Sequence, residues 1–339
     1  MKARGIPVFA LIFVSGASFL LAQEQSATSI SREVRDVFER SAKAVVKIHG
    51  VDEHSDIYGT GFFVDPTGTL YTCYSVGGEG ENFKVQFNGK EYPARQLVAD
   101  VRSGIALLKI DLVTPSLPIG SSDQLEVAAP VVTVGYPLDL PKTPSFGLIA
   151  GFDRKYLGRY FTTTHLRVNM PTQRGEAGAP LINLKGDVVG ILVSSLENNS
   201  SCYALPISAA EKIRSDFLRY GEVRHGWVGA NVSEAKTATE GSRAQITDIL
   251  DSPAGDAGLK PGDTLLQVGR TKVREAEDIL DASFFITAGE AVPITVVRDG
   301  KTMTINIQAD VHPVSKRPPM SATLESNRGI PLSMPAPDR

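Results

Sequence analysis

The glycine-rich segment GEAGAP, residues 175–180, lies between a polar stretch and an apolar stretch that predicts a strand, a turn and a second strand. A loop of this kind can present backbone N–H groups to a developing oxyanion. Acyl transfer also needs an oxygen or sulfur nucleophile, a base with a pKa near 7, and a group that orients the base. The central residue of the loop is Ala177, whose side chain has no nucleophilic atom. A nucleophile and a base for acyl transfer would therefore have to come from other residues of the chain.

The candidate bases are the five histidines, His49, His54, His165, His225 and His312. Only His165 precedes the loop closely enough to be considered as a base, and a solvated loop histidine is the more common case. No two histidines have a ligand spacing such as H-x₃-H, so we predict neither a metal site nor a cofactor. Cys73 and Cys202 also lack ligand spacing. An exported compartment would allow them to pair, although free buried thiols are the more common outcome.

Overall composition suits two globular domains and argues against nucleic-acid binding. The 339 residues are 42% hydrophobic and 22% charged, and the formal net charge is −3. No basic stripe stands out along the chain. The near-balance of charge therefore gives no electrostatic basis for nucleic-acid binding.

The N-terminal segment has two basic residues followed by a mostly apolar run, which is typical of a secretory signal. We predict a signal peptide at residues 1–22 and an exported protein, periplasmic or secreted. An uncleaved membrane anchor is the alternative, because Leu20 is large for its position before a cut after Ala22. No second apolar run is long enough to span a bilayer, so no membrane span is expected after cleavage.

Short segments rich in β-branched and aromatic residues then alternate with glycine and proline, which predicts strands. Residues 88–89, Asn-Gly, follow an alternating apolar segment and predict a two-residue hairpin. Many strands without intervening helices favour a mostly β fold, an antiparallel barrel or sandwich. The predicted strands cover residues 44–51, 59–65, 69–76, 130–138, 145–152 and 187–195.

A helix is predicted after the last of these strands, and it marks a domain boundary. Ser208 and Glu211 have capping-box spacing, and Gly221 can end the helix. We predict a first domain at residues 28–220, a linker at 221–225 and a second domain at 226–311. The proline-rich segment 312–339 has no apolar periodicity, and we predict that it is disordered.

Several motifs follow one another in the order found in one protein family. The most specific is SPAGDAGLKPGDTLLQVG at residues 252–269. Five others precede it: GTGFFVD, TLYTCYSV, SGIALLKI, VVTVGYPL and GEAGAPLIN. Together they resemble the HtrA (Deg) family of trypsin-like serine proteases with a C-terminal PDZ domain. The resemblance implies a chymotrypsin-like double antiparallel β-barrel, followed by a PDZ domain of strands and two short helices.

The same resemblance locates the positions of a catalytic triad. Ser75 stands where the family has histidine, Gly104 where it has aspartate, and Ala177 where it has the serine nucleophile. The backbone N–H groups of Gly175 and Ala177 could still form an oxyanion loop. We therefore predict no catalytic residues, and an inactive homologue of a serine endopeptidase. Relocated hydrolysis, with Ser75 or Cys73 attacking, is the less favoured alternative.

In the second domain the resemblance implies a peptide-binding site. Segment GWVGA would be the loop that receives a peptide's terminal carboxylate, and helix 275–285 would form the opposite wall. The candidate peptide-binding residues are Trp227, Val228, Gly229, Ala230, Val232, Ile279 and Leu280. Two alternatives remain: that these residues are only core, and that Trp227 covers the junction between the domains.

The predicted function is that of an exported, non-catalytic protein that binds peptide termini or unfolded segments through its PDZ domain, as a scaffold, an adaptor or a chaperone-like factor in envelope quality control. The alternatives are an active endopeptidase of the HtrA family, or a regulatory subunit that assembles with active relatives. A homotrimer through Val34, Val37 and Phe38 is also considered, although these residues could equally pack on their own barrel.

Overall fold

The computed structural model describes residues 29–52, 55–156, 159–196, 200–250 and 252–311. The predicted signal peptide and the predicted disordered tail lie outside these ranges, as do His54 and His312. Within them, no helix combines the length and the apolar character needed to cross a membrane.

The first half of the N-terminal domain is a helix, α1 (29–41), followed by a seven-stranded antiparallel sheet in the order β5-β4-β1-β2-β3-β7-β6. A short helix, α2 (Tyr74–Gly77), follows the third strand. The strands are β1 (Val45–Val51), β2 (Asp56–Phe63), β3 (Thr69–Cys73), β4 (Glu81–Phe87), β5 (Lys90–Pro93), β6 (Arg95–Asp100) and β7 (Ile105–Lys109).

The second half is a closed six-stranded barrel in the order β10-β13-β12-β11-β8-β9, followed by helix α3 (Ile207–Tyr220). Its strands are β8 (Pro130–Gly135), β9 (Thr143–Tyr156), β10 (Arg159–Asn169), β11 (Pro180–Asn183), β12 (Val188–Ser195) and β13 (Cys202–Pro206). The predicted mostly β fold is confirmed. Two predicted strands are shorter than expected: segment 69–76 leaves the sheet after Cys73, and segment 130–138 leaves it after Gly135.

Local turn chemistry explains the predicted hairpin between β4 and β5. Asn88 and Gly89 have φ values of 50° and 73°, as a type I′ turn requires at both central positions. Helix α3 likewise ends as predicted, at Gly221, which has φ 76° and donates its N–H to the Phe217 carbonyl.

The predicted capping box at the start of α3 is wrong. The N-cap is Pro206, and no side chain caps the helix from that position. The backbone N–H of Ser208 donates instead to the Ser122 hydroxyl at 3.2 Å, and Glu211 accepts a 2.5 Å hydrogen bond from the Tyr71 hydroxyl. The Ser208 N–H and the Glu211 carboxylate therefore both find their partners in distant segments.

One apolar core joins the sheet, the barrel and both long helices of the N-terminal domain. Val37 of α1 and Ile213 of α3 are fully buried in it, and Val34 and Phe38 pack against it. The residues considered for a trimer contact thus pack on their own barrel. Cys73 and Cys202 are both buried and free.

The C-terminal domain is a partly open antiparallel sheet in the order β15-β16-β17-β19-β20, with β18 paired to β17 and β14 paired to β21. Because β15 lies at one end of this order, one of its edges is open. The elements are β14 (Gly226–Trp227), β15 (Ala230–Thr239), β16 (Ser242–Ile249), α4 (Pro253–Asp256), β17 (Thr264–Val268), β18 (Thr271–Lys272), α5 (Asp278–Phe284), β19 (Ala291–Arg298), β20 (Lys301–Gln308) and β21 (Asp310–Val311).

Helix α5 connects the two domains. The Asp281 carboxylate accepts hydrogen bonds of 2.5–2.7 Å from Thr163 and Thr164 of β10. Asp278 forms a 2.7 Å ion pair with Arg154 of β9. Helix α5 also contributes apolar residues to both domains: Phe284 is fully buried in the core of the N-terminal domain, whereas Ala282 is buried in the core of the C-terminal domain.

Candidate functional site

The loop that contains Ala177 has a defined backbone. Gly175 and Gly178 have φ values of 94° and 85°, and a Cβ at Gly175 would collide with the Tyr136 carbonyl. Thr60 holds the loop from one side: its hydroxyl donates to the Gly175 carbonyl at 2.7 Å, and its N–H donates to the Ala177 carbonyl at 2.9 Å. None of these contacts depends on the side chain at position 177.

The structure brings the three predicted triad positions close together. Ser75 lies on α2, directly after Tyr74, whose N–H donates to the Gly104 carbonyl at 2.8 Å. A Cβ at Gly178 would lie 3.1 Å from the Cys73 nitrogen, so the loop reaches the start of α2. The three side chains nevertheless supply only a hydroxyl, a hydrogen atom and a methyl group. Hydrolysis by this chain must therefore draw its base and its orienting group from other residues.

Neither the alternative nucleophile, Cys73, nor the alternative base, His165, is prepared for acyl transfer. Burial raises the pKa of the Cys73 thiol, although the hydroxyl of Ser75, 3.2 Å away, opposes the shift. Burial lowers the pKa of His165 to about 4, and its Nδ1 lies 2.9 Å from the Thr163 carbonyl. Cys73 is on β3 and His165 is on β10, in different halves of the domain.

A cavity of about 460 Å³ opens beside the loop. Its walls combine the loop with residues of β12 and of the 137–140 turn. The lining residues are Leu138, Thr172, Gln173, Arg174, Gly175, Glu176, Ala177, Leu192, Ser194 and Ser195. The sequence analysis named Gly175 and Ala177 of this loop but missed Glu176, which also lines the cavity.

The second candidate site is an apolar cavity of about 40 Å³ between β15 and α5. Four of the predicted peptide-binding residues line it: Val228, Ala230, Val232 and Ile279. Leu280, Trp227 and Gly229 do not. The deeper lining residues, which the sequence analysis missed, are Ile246, Leu259, Leu265, Val268, Ala282, Ser283, Ile286 and Ile294. The spacing of positions 279, 282, 283 and 286 is that of one helix face and could have revealed several of them.

The loop beside this cavity, residues 228–229, directs its carbonyl groups toward the 252–254 segment. The Val228 carbonyl accepts a hydrogen bond from Ala254 N–H at 3.0 Å, and the Gly229 carbonyl accepts one from the Ser252 hydroxyl at 3.1 Å. In a trans peptide the C=O and the following N–H point in opposite directions. The N–H groups of Gly229 and Ala230 are therefore directed away from the 252–254 segment.

The register of β15 shows where these amides face. Leu250 N–H donates to the Gly229 carbonyl at 2.9 Å, and Ala230 lies opposite Ile249. This is the geometry of a non-hydrogen-bonded antiparallel pair. The backbone groups of Ala230 thus point to the open edge of the sheet, where an added strand would pair.

A buried hydrogen bond joins the sheet to the last residue of the predicted linker, and sequence reasoning missed it. His225 Nε2 lies 2.9 Å from Asp100 Oδ1, and both side chains are about nine-tenths buried. Burial raises the pKa of Asp100, but hydrogen bonds from His225 and Ser103 outweigh it and lower the pKa overall. No group of His, Cys, Asp and Glu in the described ranges is arranged to hold a metal ion.

Comparison with known proteins identifies the two domains. Residues 59–191 match the family described as "Trypsin-like peptidase domain", and residues 226–309 match "PDZ domain". A "Probable periplasmic serine endoprotease DegP-like" of Rhizobium meliloti is 29% identical over 283 residues, which cover 79% of this chain and 56% of the relative. The corresponding protein of Bartonella henselae is 27% identical over 270 residues, 76% and 54% of the two chains. The chain thus spans about half the length of these relatives.

A bovine relative and a solved structure extend the comparison. "Serine protease HTRA2, mitochondrial" of Bos taurus is 28% identical over 332 residues, which cover 87% of this chain and 71% of the relative. The structure of the HtrA-type protease AlgW with a tripeptide superimposes with a TM-score of 0.69 at 21% identity, and the match covers 83% of this chain and 97% of the other. The predicted fold of a trypsin-like barrel domain and a PDZ domain is confirmed.

These comparisons contradict the prediction that the chain is not an enzyme. That prediction followed from Ser75, Gly104 and Ala177, whereas the relatives are named serine endoproteases and the structural neighbours are HtrA-type proteases. The chain contains a trypsin-like peptidase domain followed by a C-terminal PDZ domain, an arrangement similar to that of HtrA/DegP-like proteases.

Proposed function

We propose that the protein binds the C-terminal segments of peptides or unfolded chains in the groove between β15 and α5. The observation that carries the proposal is the combination of an open edge on β15 with an apolar cavity at its start. A peptide would pair with the edge as an added strand, and its last side chain would enter the cavity. The amides of Gly229 and Ala230 would receive the terminal carboxylate.

The chemistry of the cavity selects an apolar terminal side chain. Val228, Ala230, Val232 and Ile279 present only hydrocarbon to the bound residue. Peptides that end in Val, Leu, Ile or Phe should therefore bind best, with affinities of about micromolar, or roughly −8 kcal/mol. Trp227 pairs with Asp310 at the base of the loop and is not part of the proposed contact.

We place this binding in exported proteolysis. The support is that several relatives are named periplasmic serine endoproteases. In that setting the groove would capture chain ends for cleavage by the protein itself or by active relatives in a mixed assembly. A homotrimer of this chain is the alternative assembly, although α1 contributes Val37 to its own barrel.

Endopeptidase activity is the second candidate function, and the names of the relatives favour it. Purified protein would be incubated with unfolded casein and with a fluorophosphonate probe. Cleavage that survives repurification, together with a labelled serine located by mass spectrometry, would support it and would identify the nucleophile. Without cleavage or label, adding an active relative would test the regulatory role by the change in that relative's cleavage rate.

The peptide proposal is tested by fluorescence polarisation with the full chain. A labelled peptide ending in Val with a free carboxylate should bind about tenfold or more tightly than its amidated form, because charge-assisted hydrogen bonds are about twice as strong as neutral ones. Ile279→Ala should weaken binding about tenfold, since it removes apolar contact in the cavity. Leu280→Ala is the matched control on the same helix, and it should leave binding unchanged. Equal affinity for both peptide forms would overturn carboxylate recognition.

A further inference from the structure

Strand β20 (Lys301–Gln308) forms the second edge of the C-terminal sheet, at the end opposite the β15 edge that would receive a peptide. It pairs with β19 along all eight of its residues, and the register between the two strands has no bulge. From Thr302 to Gln308 the segment contains neither a charged residue nor a proline. Natural edge strands are usually protected by charges, prolines or bulges, because an unprotected edge pairs readily with another strand. The middle of β20 lacks these protections.

The backbone of β20 directs alternate N–H and C=O groups away from β19. Pro293 of β19, which has no N–H, lies opposite Asn306, and its carbonyl accepts the Gly269 N–H on the other side of the strand. Asn306 therefore belongs to a non-hydrogen-bonded pair, and its own backbone groups face the open edge. By alternation the same holds for three other exposed residues, Thr302, Thr304 and Gln308.

A cavity of about 540 Å³ lies between helix α4 and the C-terminal end of β20. Pro253 and Asp256 line it from the helix, and Asn306 and Gln308 line it from the strand. All of its lining residues belong to the C-terminal domain. Its volume is within the range of roughly 300–1,000 Å³ that is usual for binding sites. The end of an added strand can therefore enter beside α4.

The charged groups at the two ends of β20 are complementary. Lys301 begins the strand, whereas Asp256 lies across the cavity from its last residues. Both side chains are exposed, and neither forms an ion pair within the described ranges. A two-fold axis through the middle of the strand would bring each end beside the opposite end of a second copy. Lys301 of one copy would then approach Asp256 of the other.

We propose that β20 pairs antiparallel with β20 of a second copy of this chain, so that two C-terminal domains share one continuous sheet. The register with the greatest overlap is centred on Ile305, and it pairs Thr304 with Asn306 and Thr302 with Gln308. The two β15 edges then lie at the outer ends of the joined sheet. Both peptide grooves stay open, and the dimer can hold two chain ends of one ligand at once.

Disulfide trapping in the full-length protein tests the register. Ile305 would lie on the two-fold axis, in a non-hydrogen-bonded pair with its own copy at a Cα–Cα distance of about 4.5 Å. A disulfide can span that distance, so Ile305→Cys should form a linked dimer with oxidised glutathione. Met303→Cys is the matched control on the same, partly buried face. Its two Cα atoms would be about 13 Å apart along the strands, which is too far for a disulfide. The native Cys73 and Cys202 are buried.

Charge reversal tests the contact at the strand ends. Sedimentation velocity of the full-length protein without peptide would give the dimer dissociation constant. Lys301→Glu and Asp256→Lys should each raise it about tenfold, because each change turns the two attractive pairs of a symmetric dimer into repulsive ones. The double variant should restore most of the affinity. Lys272→Glu, an exposed lysine on β18, is the matched control and should leave the dissociation constant unchanged.

Three results would overturn the proposal. A protein that stays monomeric at every concentration has no such interface. Equal trapping of Ile305→Cys and Met303→Cys would exclude the register, and this comparison does not depend on the charged residues. Association that ignores both charge reversals would place the contact on another surface, such as α1. Because no peptide is present, none of these results bears on the proposed carboxylate groove.

Discussion

Substituting Gly229 with alanine tests the structure of the carboxylate loop most directly. Gly229 has φ 76°, and a Cβ there would overlap the Cβ of Ser252 and lie 2.5 Å from its Oγ. The left-handed backbone costs a non-glycine residue about 1–2 kcal/mol. Displacing Ser252 also breaks its 3.1 Å hydrogen bond to the Gly229 carbonyl, worth about 1 kcal/mol. Because alanine also reduces the entropy of the unfolded chain, which offsets about 0.4–1 kcal/mol, we expect Gly229→Ala to lower the free energy of unfolding of the PDZ domain by about 1–3 kcal/mol.

Gly241 is the matched control for this substitution. It lies in the turn between β15 and β16 with φ 81°, and a Cβ there would meet no atom within 4 Å. Both variants share the backbone strain and the loss of unfolded-state entropy of about 0.4–1 kcal/mol, so their difference isolates the collision with Ser252. Urea denaturation followed by the fluorescence of Trp227, the only tryptophan, reports on this domain. Equal effects of the two substitutions would refute the argument, as would unchanged peptide binding by Gly229→Ala.

Three other predictions concern buried polar groups. Asp100→Ala should cost about 1–3 kcal/mol by leaving His225 Nε2 buried without its hydrogen-bond partner, and a double-mutant cycle with His225→Phe by chemical denaturation should show strong coupling rather than additivity. Burial lowers the pKa of His165 from 6.5 to about 4, so the unfolded chain takes up the proton first as the pH drops. The free energy of unfolding should therefore fall by about 3 kcal/mol between pH 6.5 and 4. The His165→Gln variant should lack this dependence in melts recorded across that pH range. Burial raises the pKa of Cys202 to about 12 and also raises the pKa of Cys73. Neither thiol should therefore be alkylated by iodoacetamide at pH 8 until the protein unfolds, as mass spectrometry would show. Rapid labelling of the native protein would contradict the buried positions.

Turns, helix ends and strands, which depend on residues close together in the sequence, were predictable from the sequence. The Asn88-Gly89 turn, the end of α3 at Gly221 and most strands follow from local backbone preferences and apolar alternation, and the structure confirms them. The apolar residues of the PDZ groove were partly found, because Val228 and Ile279 belong to a motif and to a helix face.

Features that depend on contacts between distant segments were missed. Ser208 has the right spacing for a capping box, yet it contacts Ser122, 86 residues earlier in the chain. The Asp100–His225 pair spans 125 residues, and neither partner signals the other in the sequence. The burial of Glu176, whose Oε1 has no hydrogen-bond partner among the described residues, likewise depends on walls from distant segments. Such groups are positioned by packing between distant segments, which the periodicity of a short segment does not report.

The peptidase loop shows why fold and chemistry must be tested separately. Its shape is held by the positive φ values of Gly175 and Gly178 and by Thr60, which bonds to backbone atoms on either side of Glu176. These constraints hold with any small side chain at position 177, so likeness of fold to HtrA-type proteases persists whether or not that side chain is a nucleophile. Acyl transfer, in contrast, depends on a few side-chain atoms, and function belongs to the site rather than to the fold. Covalent labelling that identifies the reacting atom therefore bears on peptidase activity more directly than any further structural comparison.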